Sequence, residues 1–273
     1  MRLLSGMALG LWAGLAGIAI AQSDAGSPVV VELYTSQGCS SCPPADAIVS
    51  ELAPREDVIA LALHVDYWDY LGWKDEFGSP AFSKRQKAYA RAAGARTVYT
   101  PQMVVGGAEH LVGVRPVELM DLTERHAANP APVLLSLSRS GGTIDISATA
   151  AGRLPNGAVI QLVRYTPQAS VDIRGGENGG RTITYANIVR SWEAVGEWDG
   201  SAPLSLSVPV RGGDPVVVIL QEPGPGPILA AARLRGPGPG GRGISPGPSV
   251  LPSTGEDSRT TGPCDAVPAP LDC

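Results

Sequence analysis

The sequence predicts an α/β fold in two parts: an α/β N-terminal domain over residues 28–128, then an antiparallel β-sandwich over 131–236, with a Gly/Pro-rich tail at 237–273. Three observations carry this expectation. From Val29 to Ala127, apolar runs of strand length alternate with helix-compatible stretches, the order of a mixed layer structure. From Val133 to Arg235 the pattern changes to short β-rich runs separated by Gly, Asn and Pro. After Arg235, Gly236-Pro237-Gly238-Pro239-Gly240-Gly241 opens a stretch without apolar periodicity, expected to be disordered.

Composition narrows the function classes. A hydrophobic content of 44% over 273 residues is enough for a substantial core. The formal net charge of −5, with no basic cluster, argues against a nucleic-acid face. Met1–Ala21 has the form of an export signal: Arg2 gives the positive start, Leu3–Ile18 the apolar core, and Ala19-Ile20-Ala21 a small-x-small cleavage site. The alternative is an uncleaved anchor, because the uncharged run is almost long enough to span a bilayer. After cleavage no membrane span is expected. A periplasmic or secreted location would permit disulfides at all four cysteines.

In chain order, Val29–Tyr34 is expected to be a strand running into Gln37-Gly38-Cys39-Ser40-Ser41-Cys42, with a helix over Ala45–Ala53. A Cys-x-x-Cys at a helix start sits among unpaired backbone N–H groups and the positive end of the peptide dipole. Both favour the thiolate, the attacking species in thiol–disulfide exchange. Cys39 is the expected nucleophile and Cys42 the resolving cysteine, the alternative being a permanent structural disulfide. Glu32 is a candidate proton shuttle for Cys42, since an apolar strand would raise its pKa; otherwise it is an ordinary strand-edge acid.

Val58–Val65 has no polar alternation and is expected to be a buried strand. His64, near its end, could complete a copper or zinc site with Cys39 and Cys42, or be a hydrogen-bonded core histidine. The aromatic excursion Asp66-Tyr67-Trp68-Asp69-Tyr70-Leu71-Gly72-Trp73-Lys74 offers Tyr67 and Trp68 as substrate-binding groups, with packing onto the domain as the alternative. Asp66 and Asp69 are expected to be exposed.

Ser83–Ala93 is expected to be helical, stopped by Gly94. Thr100-Pro101 leads into a strand and the turn Gly106-Gly107, Leu111–Val114 pairs back, and Pro116–Ala127 closes as a helix with proline at its start. The later β-rich runs are Val133–Ser138, Thr143–Ala150, Val159–Thr166, Arg181–Arg190, Leu204–Pro209, Pro215–Gln221 and Ile228–Arg235. Cys264 and Cys273 are expected to close a terminal loop as a structural disulfide, or to form a shuttle arm that carries a second dithiol to Cys39.

With Cys39, Cys42 and Thr100-Pro101 in place, the first domain resembles thioredoxin-like proteins. The resemblance implies a cis-proline at Pro101 facing the cysteines, with backbone groups at Thr100 and Pro101 that pair with a substrate chain. Glu32–Asp46, His64–Lys74, Val98–Gly106 and Gly179–Asn187 are similar to an exported thioredoxin-like family catalogued as domain of unknown function 1223. Several residues depart from thioredoxin: Ser40-Ser41 replaces Gly-Pro, Gly38 replaces Trp, and Glu32 stands seven rather than six positions before Cys39. Pro43-Pro44 also removes two backbone donors from the helix start. The expected activity is thiol–disulfide exchange on protein or small-thiol disulfides, with no organic cofactor, since no glycine-rich phosphate loop is present. The rival expectations are a copper- or zinc-handling protein and a non-enzymatic protein-binding module.

Overall fold

The computed structural model describes residues 27–236. The expected export signal, the Gly/Pro-rich tail and the Cys264–Cys273 pair lie outside the described residues. The fold is mixed α/β, with one large sheet and few helices.

The first half contains β1 (Val29–Thr35), α1 (Pro43–Leu52), β2 (Val58–His64), α2 (Pro80–Ala92), β3 (Gln102–Val105), β4 (Glu109–Val112) and α3 (Pro116–Ala128). Each α-helix opens with proline, whose missing N–H would be unpaired in a first turn anyway. Strand β1 pairs in parallel with β2, from Val29↔Val58 to Thr35↔His64, and antiparallel with β3. Every residue of β1 and β2 is buried, which is why their sequences run apolar without alternation.

All seven β-rich runs of the second half are strands: β5 (Val133–Ser140), β6 (Thr143–Ala150), β7 (Ala158–Asp172), β8 (Thr182–Trp198), β9 (Leu204–Pro209), β10 (Val216–Gln221) and β11 (Ile228–Leu234). They do not, however, form the self-contained sandwich expected over 131–236. Four of them extend the first sheet, giving the eight-stranded order β11-β10-β7-β8-β2-β1-β3-β4, and only β5-β6-β9 form a second sheet. Strand length explains the difference. β7 and β8 reach 15 and 17 residues, so one end of the hairpin packs under β5-β6-β9 while the other lies beside β2. There Ile188 aligns with Ala62, and Asn187, at φ 48°, donates its side-chain amide to the Ala60 carbonyl at 2.8 Å. Asparagine tolerates that left-handed conformation better than most residues.

The large sheet is covered on both faces. Val30 and Tyr34 of β1 face Phe82 and Tyr89 of α2, together with Val163, Val217 and Ile219. Val31 and Leu33, on the opposite face, meet Ala45, Val49 and Leu52 of α1 and Leu119 and Leu122 of α3. The small sheet continues this second layer over Ile160, Leu162, Val216, Val218 and Leu220. The β3–β4 turn ties the two halves together: Gly106 donates its N–H to Val30 and accepts from Ile228. Its φ is 59°, and a Cβ there would run into the His126 ring.

Candidate functional site

Strand β1 delivers the chain to a tight loop at the start of α1. Within it the Cys39 N–H bonds the Ser36 carbonyl at 3.1 Å and the Cys42 N–H bonds the Cys39 carbonyl at 3.2 Å. Cys42 caps α1 in helical conformation and accepts from the N–H groups of Ala45 and Asp46. Cys39 and Cys42 are joined as a disulfide, with Cα atoms 5.4 Å apart. Both are buried, at 2% and 0% exposure.

Two walls enclose the pair. On one side Trp68 stands over Gly38, where an added Cβ would lie 3.3 Å from the Trp68 Cβ. The close approach explains a glycine before Cys39. The Trp68 indole N–H donates to the Thr100 hydroxyl at 2.8 Å, so Trp68 and Thr100 come together as candidate site residues. The other wall comes from the second half of the chain. The Asn178 amide donates to the carbonyls of Gln37 and Cys39, and the Ser40 N–H donates to the Glu177 carboxylate at 3.1 Å.

Behind the disulfide lies a buried polar cluster. Asp46 is one helical turn past Cys42, and its carboxylate accepts from the Thr35 hydroxyl at 2.8 Å. Thr35 is paired with His64, whose Nδ1 lies 2.8 Å from the Asp75 carboxylate. The His64 ring packs edge-on against Tyr185, with centroids 4.9 Å apart. Among the described residues, five buried side-chain atoms have no hydrogen-bond partner, and four belong here: Gln37 Nε2, Asp46 Oδ2, His64 Nε2 and the Tyr185 hydroxyl. Unpaired buried polar atoms each cost about 1–3 kcal/mol, so a group of them marks a place where stability is given up.

The charges follow from these surroundings. Burial pushes the Asp46 carboxyl up to about 7, against the opposing pull of His64 and the Thr35 hydroxyl. Burial also acts to raise Asp75, but His64 and the N–H groups of Gln37 and Phe77 outweigh it and hold that carboxyl below its usual range. Burial, then Asp46 and Asp75, raise the Tyr185 hydroxyl far above an ordinary tyrosine.

Glu32 does not join this cluster. Successive residues of a strand face opposite sides, and Glu32 lies on the α2 face while α1 packs on Val31 and Leu33. Its carboxylate instead takes Arg85, at 2.7 and 2.8 Å, and the hydroxyls of Tyr34 and Tyr89. The structure therefore separates the expected proton shuttle from Cys42 by the thickness of the sheet.

Of the remaining candidates, Tyr67 turns towards α2 and donates to Gln86 at 3.0 Å, packing the excursion onto the core. Asp66 and Asp69 are half-buried rather than exposed, accepting from the Ser83 hydroxyl and the Asp75 N–H. The Thr100–Pro101 peptide is cis. A Cβ added at Gly113 would lie 3.0 Å from that of Pro101 and 3.1 Å from that of Ala45, which sets Pro101 beside the first turn of α1. Among the described residues no three His, Cys, Asp or Glu side chains converge as metal ligands do; Cys39 and Cys42 are bonded to each other, and the His64 Nδ1 faces Asp75. No described helix is long and apolar enough to cross a membrane.

Sequence reasoning missed Asp46, Asp75, Tyr185 and Asn178. A family model described as "Protein of unknown function (DUF1223)" matches residues 30–221, a span holding both walls and the polar cluster. The chain belongs to the DUF1223 family. This DUF1223 chain is 32% identical to protein AGR_C_4864 from Agrobacterium tumefaciens, and the match covers 80% of this chain and 97% of that one, with a TM-score of 0.68. HBP35 of Porphyromonas gingivalis, 14% identical over 85% of this chain and 82% of that one, shares the fold at a TM-score of 0.58. No curated protein matches the DUF1223 chain.

Proposed function

We propose that residues 28–128 form a thioredoxin-like unit and that the protein is an exported thiol–disulfide oxidoreductase acting on protein or small-thiol disulfides. The observation that carries the reading is a Cys39–Cys42 disulfide at the start of α1, with the buried acid Asp46 one turn behind Cys42. The strand order β2-β1-β3-β4 and the position of Pro101 at the head of β3 support it.

In the reduced protein the Cys39 thiolate attacks one sulfur of a substrate disulfide, forming a mixed disulfide and releasing the other sulfur as a thiolate. Cys42 then gives up its proton and attacks the Cys39 sulfur. The second substrate sulfur leaves, and the Cys39–Cys42 disulfide forms. The substrate gains two electrons and the dithiol loses two; the reverse sequence oxidises a substrate dithiol. Asp46 is placed to take the Cys42 proton, because side chains four apart on a helix have Cβ atoms about 5–6 Å apart on one face. A carboxyl that titrates near neutrality suits the transfer.

Insulin reduction and a redox titration of the dithiol test this. Cys39→Ser should lower the rate by at least about a thousandfold, the scale for loss of a nucleophile. A Cys39–Cys42 pair that stays oxidised or reduced throughout a glutathione and dithiothreitol titration overturns the reading.

A further inference from the structure

The tip that joins β7 to β8, residues 173–181, belongs to the second half of the chain yet lies on the disulfide loop of the first. Its Asn178 is 1% exposed. The amide nitrogen donates to the carbonyls of Gln37 and Cys39, both at 2.9 Å, and its oxygen accepts from Arg181 at 2.9 Å. One side chain thus grips the backbone on either side of Gly38. The tip also packs closely on the aromatic excursion through glycines: a Cβ on Gly175 would lie 2.8 Å from the Gly72 carbonyl oxygen.

The two walls differ in how firmly they are held. Trp68 is fixed by Thr100, by the α2-side core and by stacking on Tyr70. The tip is anchored at its base, where Ile173 is buried with Ile183 and Tyr185 and exchanges backbone bonds with Gly180 and Arg181. Beyond that base, its hold on the cysteine loop is the pair of Asn178 bonds and the exposed Glu177 carboxylate on Ser40. Glu177 is exposed to solvent and adds little. With both sulfur-bearing residues buried, an attacking thiolate needs one wall to move, and the tip is the weaker wall.

We propose that Asn178 is a positioning residue for the dithiol: it holds the Gln37–Cys39 backbone and latches the tip as a cover that lifts before a thiolate reaches Cys39. The idea rests on the redox reading of the same cysteines, but its test measures access and not turnover, so the two can fail separately.

The probe is the second-order rate at which dithiothreitol reduces the oxidised full chain. Its thiolate attacks the Cys39 sulfur and Cys42 leaves; its second thiol then closes the dithiothreitol ring and releases Cys39. Asn178→Ala should raise this rate by about tenfold or more, the worth of one to two hydrogen bonds. Gly175→Ala, which pushes the tip off the Gly72 carbonyl without touching Asn178, should raise it too. Circular dichroism checks that both variants fold. Rates within twofold of the parent, or slower, in both folded variants overturn the proposal, including the case where only the melting temperature falls.

Discussion

Glu32→Ala should lower the unfolding free energy by about 3–5 kcal/mol, the cost of removing one partner of a buried ion pair, and leave the dithiol chemistry unchanged. Glu32 has no exposed side-chain surface, and its Arg85 partner is 13% exposed. Arg85 also donates to Gln161 and Gln221 and lies 3.8 Å over the Trp192 ring, so one guanidinium links α2 to β1, β7, β8 and β10. Burial disfavours its charge, but the Glu32 carboxylate more than compensates and holds the guanidinium firmly protonated. Without the carboxylate, a buried cation loses its counter-ion and the hydroxyls of Tyr34 and Tyr89 lose their acceptor. Urea unfolding measures the loss. A proton shuttle at this position would instead show a slower release of the mixed disulfide at unchanged stability, and Glu32→Gln, which keeps one of the two acceptor oxygens that Tyr34 and Tyr89 use, should fall between parent and alanine in stability alone.

Asp46→Asn should change the pH dependence of both stability and rate. Burial moves the carboxyl from its ordinary 3.8 up to about 7. Between those values the native protein keeps a proton that the unfolded chain gives up, so raising the pH favours unfolding. The group's stabilising contribution is present in acid and lost as pH rises from about 4 through about 7, in total on the order of 4 kcal/mol. The asparagine of the variant has the same shape and no charge, so that decline should vanish from a series of unfolding curves taken across the window. His64, Asp75 and Tyr185 face the same space and remain in place in the variant. Kinetically, resolution of a mixed disulfide by Cys42 should slow by about a hundredfold or more in the variant, the usual range for a lost general base. Formation of that mixed disulfide by Cys39, followed in a Cys42→Ser background, should not slow. Equal slowing of both steps would remove Asp46 from the proton path.

The parts of this site that the sequence made legible are those set by short-range chemistry. The cysteine spacing, the proline at the helix start and Thr100-Pro101 each constrain the backbone within a few residues, and the strands were recognisable from apolar runs and turn residues. What stayed hidden depends on which face or which partner is chosen. In β1 both faces are buried, so Glu32 carries no mark of the side it points to. Asp46 did leave a signal: Cys42, Asp46 and Val49 fall on one buried helical stripe, an acid where an apolar residue belongs. Asp75 and Tyr185 gave none, since only tertiary contact brings them to His64. Asn178 sits in a glycine-rich turn that would be assigned to solvent on composition. The joined sheet was invisible for a similar reason: alternation identifies a strand without naming its neighbour.

The seat of β8 beside β2 has a consequence for self-association. The row Val58-Ile59-Ala60-Leu61-Ala62-Leu63 is uncharged, free of proline and apolar throughout. Were the chain to end after α3, that row would become a bare sheet edge, the kind that templates pairing between molecules and seeds fibrous aggregates. The later strands therefore act as a guard rail for the earlier ones, and a shortened polypeptide that kept Cys39, Cys42 and Asp46 would be prone to precipitate.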